Sequence, residues 1–464
     1  MKFCDRPFKF MWVARRFDGS EQPMTVPCAW LNISGLEDTD LTKNSVEEIW
    51  NSETFEKVRE SIKDGSFRYC NCVTCPFLAN DSLPDLSEEQ FKIVTVKKEI
   101  PSQFNLAFDR KCNHACPSCR HSIYKNTEKV QREVEIIGEK LLPYLNKADY
   151  INSNGQGDFF ASKENLDIFR RLKPENPNFE LSIETNGTLF DEKHWKQIEH
   201  LSQYEIFVNI TPNSFERSTY AYLNGGFDLL EKLEENLHFV KKLREENKIN
   251  RLNLIAVVQD TNVKEMPAFI DKCIDVYHAD EVTVRPIYKW NYLTADEHWF
   301  KNVSNPLHPY HQYYLDMLNS DAMKRKEVYS WGCEVMQPQE HPAYVYRTMT
   351  DILSKIMMIS DLEERLNRYF MDRQIEELYL YGTDSVGQAI ESVFRRPSVH
   401  VRCKEVLCRE KINTYESTEK DVILVTNFYN FEPIQRDFEL REFKGKLIRL
   451  DDLIRDLSDG DNNE

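Results

Sequence analysis

Between residues 103 and 290, short apolar runs alternate with longer stretches of helical period. The runs are 103–108, 149–153, 179–184, 205–211, 252–258 and 281–286. They are too short for helices and rich in Ile, Val, Leu and Phe, so they predict strands. The stretches between them are 130–146, 163–172, 190–202, 227–246 and 263–278. In these, apolar residues recur three and four apart among Glu and Lys, which predicts helices. Strands alternating with helices imply an α/β class with a parallel sheet. In such sheets the chemistry collects at the C-terminal ends of the strands.

The flanks read differently. In residues 44–63, Ser45 is a helix N-cap, and Val46, Ile49, Trp50, Phe55, Val58 and Ile62 follow a broken helical period, giving one or two helices. Residues 80–100 are polar and read as a linker. Residues 296–372 are mostly helical in pattern. From Glu377 to Phe394 the pattern is strand, tight turn, helix, and 399–403, 421–426 and 446–450 are further strands. This predicts a small doubly wound unit. The expected organisation is a cysteine-rich segment 1–90, the α/β core 100–295, a helical region 296–372, the small unit 373–457 and a disordered acidic tail 458–464.

Length and charge narrow the function. A chain of 464 residues suggests two to four domains, and 41% hydrophobic with 12% aromatic content suffices for a sizeable core. The formal charge of −17 argues against nucleic-acid binding, since no basic field recruits phosphate backbones. No apolar run approaches membrane-spanning length, and the first residues lack a signal-peptide core. A cytoplasmic location is expected, where cysteines serve as metal ligands more often than as disulfides.

The cysteines carry the chemistry. Eight of the twelve fall before residue 120. Cys112, Cys116 and Cys119 stand in a C-x3-C-x2-C spacing directly after the first core strand. Three thiolates there can hold three irons of a cubane cluster and leave the fourth open to a substrate or cofactor, unlike a closed four-cysteine electron carrier. A structural zinc loop or buried free thiols are the competing readings.

This triple resembles that of the radical S-adenosylmethionine (radical SAM) superfamily, and further motifs match in order. Asn154-Gly-Gln-Gly-Asp-Phe159 after the second strand is similar to the family's glycine-rich GGEP motif, with Asp158 in place of the Glu. Glu184-Thr-Asn-Gly-Thr188, Asn209 with Thr211, Asn224-Gly-Gly-Phe-Asp228, Val258-Gln-Asp-Thr-Asn262 and Val284-Arg-Pro286 match the loops and strand ends that follow. The resemblance covers 103–290. It departs at Ser118, where the family has an aromatic residue, and at Tyr222-Leu-Asn, where an Arg is often found.

It implies a partial (β/α)6 barrel with a 4Fe–4S cluster on Cys112, Cys116 and Cys119. S-adenosylmethionine would lie against Gly155, Gln156, Gly157, Asp158, Thr185, Asn186, Asn209, Gln259 and Arg285. It also implies reductive cleavage of that cofactor to a 5′-deoxyadenosyl radical, which abstracts hydrogen from an unactivated carbon. The electron would come from a reducing partner such as a flavodoxin or ferredoxin.

Residues 1–90 resemble a SPASM or Twitch auxiliary-cluster segment, placed before the barrel instead of after it. The resemblance rests on Cys28-Ala-Trp, Ser45-Val-Glu-Glu-Ile-Trp-Asn-Ser52, Arg59-Glu-Ser-Ile-Lys-Asp-Gly65 and Cys70-x4-Cys75-Pro76. It implies a second 4Fe–4S cluster on Cys4, Cys28, Cys70 and Cys75, with Cys72 as a possible substitute; zinc on the same thiols is the alternative. Gly382-x4-Gly387 resembles the phosphate turn of a Rossmann unit, but Asp384 stands where a glycine is wanted.

Three functions compete. The first is oxidation or epimerisation of a small polar substrate of the sugar or sugar-nucleotide type, with Cys333 a candidate hydrogen donor. The second is peptide modification of the kind SPASM relatives carry out. The third is a non-catalytic iron–sulfur sensor or electron carrier. His114 and His121 flank the cysteine loop; either could tune it, but as loop histidines they are expected to be exposed, while Trp290 and Tyr292 are candidates for the substrate mouth.

Overall fold

A computed structural model describes the chain except residues 1, 17–19, 32, 34–35, 72–74, 80, 121, 154–155, 290–292, 334–340, 409–411, 413–414, 429–430 and 459–464. The expectations for Cys72, His121, Gly155, Trp290, Tyr292 and nearly all of the acidic tail lie outside the described residues.

Among the described residues, thirteen strands form two sheets. The large sheet contains β1 (Phe10–Arg15), β2 (Pro23–Val26), β3 (Gln103–Ala107), β4 (Tyr150–Ser153), β5 (Glu180–Thr185), β6 (Glu205–Ile210), β7 (Arg251–Val258), β8 (Glu281–Pro286) and β9 (Val328–Ser330). Its order is β2-β1-β3-β4-β5-β6-β7-β8-β9. Every pair is parallel except β1 with β2. The small sheet contains β10 (Glu377–Tyr381), β11 (Arg402–Leu407), β12 (Val422–Val425) and β13 (Lys446–Arg449), all parallel in the order β11-β10-β12-β13. The fold is therefore α/β with parallel sheets and helices.

The six strands read from apolar runs are β3 to β8, within a residue or two at each end. β1, β2 and β9 extend the same sheet on both sides, so the sheet crosses the boundary expected near residue 90 and reaches into the helical region. β1 escaped the pattern because Arg15 and Arg16 follow its apolar run at once. Arg15 is nonetheless fully buried. Its Nε donates to the Phe108 carbonyl (2.8 Å), and Nη1 donates to the Glu21 carbonyl (2.9 Å) and to Glu133 (2.7 Å). The expected linker also contains a helix, Glu88–Val94, closed by a Ser87–Gln90 capping box.

Alternation along β3 to β8 separates two faces. Phe104, Leu106, Ile151, Leu181, Ile183, Val208, Leu254 and Val284 join the main core under the helices. The opposite face carries the polar residues, beside Phe207, Ile255 and Val257. Trp12, Asn105, Asn152 and Ser182 are register partners across β1, β3, β4 and β5. Glu184, Asn209 and Asn253 are partners across β5, β6 and β7. Side-chain bonds run along this face: Asn209 donates to Ser182 (3.0 Å), Asn253 to Asn209 (3.1 Å) and Thr283 to Asn253 (3.1 Å). A parallel sheet normally buries apolar residues on both faces, so a polar second face marks a site and not a core.

In the small unit, Asp384 caps the helix Ser385–Phe394 by accepting from Gly387 N (2.8 Å). A Cβ on Gly387 would lie 2.2 Å from the Gly382 carbonyl. The two glycines thus serve the packing of their own turn, and a carboxylate occupies the position a phosphate would take.

Replacing Arg15 with Met should cost about 3 kcal/mol of stability, because Glu133 loses its buried partner. Denaturant titration checks this, and an unchanged midpoint would show that Arg15 is not what secures β1.

Candidate active site

The loop from Asp109 to Arg120 leaves the C-terminal end of β3, where the parallel sheet directs chemistry. It lies against the loop after β4. A Cβ on Gly157 would fall 2.5 Å from the Lys111 carbonyl and 2.6 Å from the Asp109 carbonyl. Glycine there is required by the approach of the two loops to each other, whereas the motif suggested only an approach to a ligand.

Asp158 completes the seam. It is 5% exposed. Its N–H donates to the Lys111 carbonyl (2.8 Å), and its carboxylate accepts from Thr185 Oγ1 (2.8 Å), Asn186 N (2.8 Å) and Phe160 N (3.0 Å). One carboxylate therefore joins the loops after β4 and β5. Gln156 turns the other way: its Nε2 donates to the Arg15 carbonyl (2.9 Å), and its Oε1 accepts from Arg15 N (3.3 Å) and Arg110 Nε (3.2 Å). Both side chains are occupied by protein partners, and the Gln156 carbonyl accepts from Arg120 Nη2 (2.7 Å).

Donors converge on two of the three thiols. The His114 N–H points at Cys112 Sγ (3.5 Å), as does Asn186 Nδ2 (3.9 Å), and Arg120 Nη2 points at Cys119 Sγ (3.5 Å). Burial opposes the charge of Arg120, but the thiols of Cys119 and Cys112 outweigh it and hold the guanidinium above the ordinary arginine value. Burial pushes Cys112 up to about 11 and raises Cys116 further, with Cys119 and Cys112 adding to the shift at Cys116. Thiols so placed ionise only beside a cationic group, which is what a metal centre supplies.

Among the described residues, no three His, Cys, Asp or Glu side chains converge on one point as a single ion requires. A cubane cluster instead offers a separate iron to each thiolate, and donors aimed at the sulfurs favour its anionic form. The triple fits such a cluster.

Sequence reasoning singled out His114 and the Asn224-Gly-Gly run but not the contact between them. His114 is 1% exposed, in contrast to the exposed position expected for it. Its Nδ1 donates to Asn224 Oδ1 (3.1 Å), and its Nε2 lies 3.3 Å from Thr188 Oγ1. Asn224 Oδ1 also accepts from Cys116 Sγ (3.6 Å). Gly225, at φ +83°, has the Ala115 carbonyl 2.4 Å from where a Cβ would stand. The Asn224-Gly-Gly run thus backs the cysteine loop. The clue in the sequence was a paired glycine far from any strand end, which only close backbone contact demands.

The remaining expected residues scatter. Thr185, Asn186 and Asn209 lie at the ends of β5 and β6 near the loop. Gln259 is buried in a turn after β7, its N–H donating to Asn262 (2.9 Å). Arg285 stands on the polar face of β8, its Nε buried without a hydrogen-bond acceptor and its charge felt by Glu184. Cys333 is part of the main apolar core, its thiol donating to the Val284 carbonyl (3.2 Å), so it faces away from the polar side.

Cys4, Cys28, Cys70 and Cys75 line one pocket with Arg6, Trp30 and Phe67. Burial pushes Cys4 up to about 12 and also raises Cys28, and the pairs Cys4–Cys28 and Cys28–Cys75 sense one another. From the far end of the chain, Arg441 donates to the carbonyls of Arg68 (3.3 Å) and Cys70 (3.2 Å) while paired with Asp437.

Two substitutions test the seam. Gly157→Ala should overpack it by roughly 1–3 kcal/mol, and Asp158→Ala should strand buried donors at a similar cost of about 1–3 kcal/mol. Both are expected to lower the iron held after anaerobic reconstitution while far-ultraviolet dichroism is retained. Full iron retention would show that the loop holds itself.

Residues 107–273 match the family model of the radical SAM superfamily. No curated protein matches. Among solved structures, the chain is similar to Streptococcus suis SuiB bound to S-adenosylmethionine, at 12% identity and TM-score 0.35 over 70% of this chain and 72% of that one. It is also similar to Streptococcus suis SuiB (13%, TM-score 0.34, covering 70% and 72%) and to SuiB bound to its precursor peptide SuiA (12%, 0.34, 72% and 74%). The family match falls on the segment whose loops gather the three thiols, and the chain therefore carries a radical SAM domain, which implies a SAM-dependent enzyme with a 4Fe–4S cluster.

Proposed function

We propose that the enzyme oxidises or epimerises a small polar substrate of the sugar or sugar-nucleotide type, bound on the polar face of the large sheet. The observation that carries this reading is the set of polar atoms left without partners there. Trp12 Nε1, Asn105 Oδ1, Asn152 Oδ1 and Arg285 Nε are all buried and unbonded. Unpaired buried groups are costly, and a ligand with hydroxyl donors and an anionic end would satisfy them. When bound, the cluster and S-adenosylmethionine supply the one-electron chemistry that produces a hydrogen-abstracting radical. The protein's share is to hold the cysteine loop through Gly157 and Asp158, to shield His114, and to orient the substrate between Asn105, Asn152 and Arg285.

The reading includes an auxiliary 4Fe–4S cluster on Cys4, Cys28, Cys70 and Cys75, whose shared pocket supports it, and a small Rossmann-like C-terminal unit that makes contacts without binding a nucleotide. No helix among the described residues is long and apolar enough to cross a membrane; the cytoplasm, where low-potential donors are available, suits the chemistry.

Anaerobic reconstitution tests the whole. About eight irons are expected for two clusters, with an electron paramagnetic resonance signal shifted by S-adenosylmethionine and 5′-deoxyadenosine released after dithionite reduction. Four irons with cleavage would remove the auxiliary cluster. No cleavage and no spectral shift would leave an iron–sulfur sensor or carrier. Substrate screening should then find sugar phosphates or sugar nucleotides stimulating cleavage, with Arg285→Gln raising the substrate KM about tenfold or more through loss of a charged hydrogen bond. Stimulation by peptides alone would favour peptide modification.

A further inference from the structure

The loop that holds Cys112 has a second exposed side. A cleft of about 750 Å³ opens beside it, with Cys112 itself in the wall. Its floor is formed by Phe160, Leu166 and Leu189, which belong to the helix-covered side of the sheet or pack against it. The cleft is thus reached from the opposite side to the polar face where the proposed substrate lies.

Its charge reverses that of the whole chain. The sequence carries 77 acidic and 60 basic residues. Lining the cleft are Lys111, Lys125, Lys163, Arg170 and Lys193, against the carboxylate of Asp167. Lys111 is paired with Glu164 (2.6 Å), and Arg170 is paired with Asp167. Lys125, Lys163 and Lys193 are exposed, and none of them makes a hydrogen bond or ion pair with another described residue. Three free ammonium groups held around one concavity make a local positive patch on a chain that is acidic as a whole. The apolar floor and charged rim have the make-up of a transient protein interface.

We propose that this cleft is the docking surface for an acidic one-electron donor protein, a low-potential flavoprotein or iron–sulfur protein. The inference rests on the reading that Cys112, Cys116 and Cys119 hold the reducible cluster. The donor's anionic rim meets Lys125, Lys163 and Lys193, its redox group faces the Cys112 wall, one electron crosses, and the donor leaves oxidised by one electron. Complementary charge at such a surface acts mainly on encounter, so binding weakens as salt rises.

The test uses the reconstituted holoenzyme and a bacterial flavodoxin as probe, with anaerobic calorimetry for affinity and stopped-flow bleaching for electron transfer. The triple variant Lys125→Glu, Lys163→Glu, Lys193→Glu should weaken flavodoxin binding about tenfold or more and slow flavodoxin-driven bleaching, while dithionite-driven 5′-deoxyadenosine release persists. Reversal at Lys57, Lys232 and Lys326, outside the cleft, should leave the affinity unchanged. In the wild type, affinity should fall steeply between low and high salt, which tests the proposal even if the triple variant fails to fold. Equal binding by wild type and cleft variant, an equal loss in the control variant, or salt-independent affinity overturns it. Binding of inorganic pyrophosphate with no binding of flavodoxin also overturns it, in favour of a small-anion site. Loss of dithionite-driven cleavage in the wild type would instead strike the radical SAM reading itself.

Discussion

Everything at this site hangs on the contact between two loops that leave neighbouring strands. The loop after β3 carries the thiols and is backed on one side by Asn224 and Gly225. It is held where Gly157 meets the carbonyls of Asp109 and Lys111, and the adjoining Asp158 carboxylate carries the hold across to the loop after β5. A buried carboxylate with three protein donors is largely spent on the protein, so its role is to fix the frame within which others bind. Arg120 adds a second tie, donating to the carbonyls of Arg110 (2.8 Å) and Gln156 (2.7 Å) while turned toward Cys119. Preorganisation of this kind is what cofactor chemistry asks of a protein.

The large sheet divides its labour by face. One side is a continuous apolar core that supplies stability through burial. The other gathers amides, hydroxyls, the Trp12 indole, the Glu184 carboxylate and the Arg285 guanidinium, partly linked to each other and with several polar atoms unpaired. The core side leaves little freedom of register, because a slip of one residue would drive Asn105 and Asn152 into the apolar layer. Stability on one face thereby protects the placement of polar atoms on the other.

Much of this was legible in the chain. The six central strands were visible because apolar runs of five to seven residues between amphipathic helices have few other readings. The three thiols and the order of loops behind them were visible because their spacing is unusual. β1 was not, since a fully buried Arg15 contradicts the rule that charges end strands, and only the distant Glu133 and backbone carbonyls explain it. His114 was misjudged for a related reason. A loop histidine is usually solvated, and what buries this one is Asn224, 110 positions away. Residues whose environment is made by distant partners leave no local trace.

The contact between Arg441 and the Cys70 carbonyl joins positions 371 apart. During synthesis the four N-terminal cysteines emerge long before Arg441, which follows the helix ending at Leu440, so the backbone at Cys70 spends that interval without this donor. Pairings of such long sequence separation form late and slowly. An early cysteine segment and a late backbone tie give the C-terminal unit a part to play in the order of maturation.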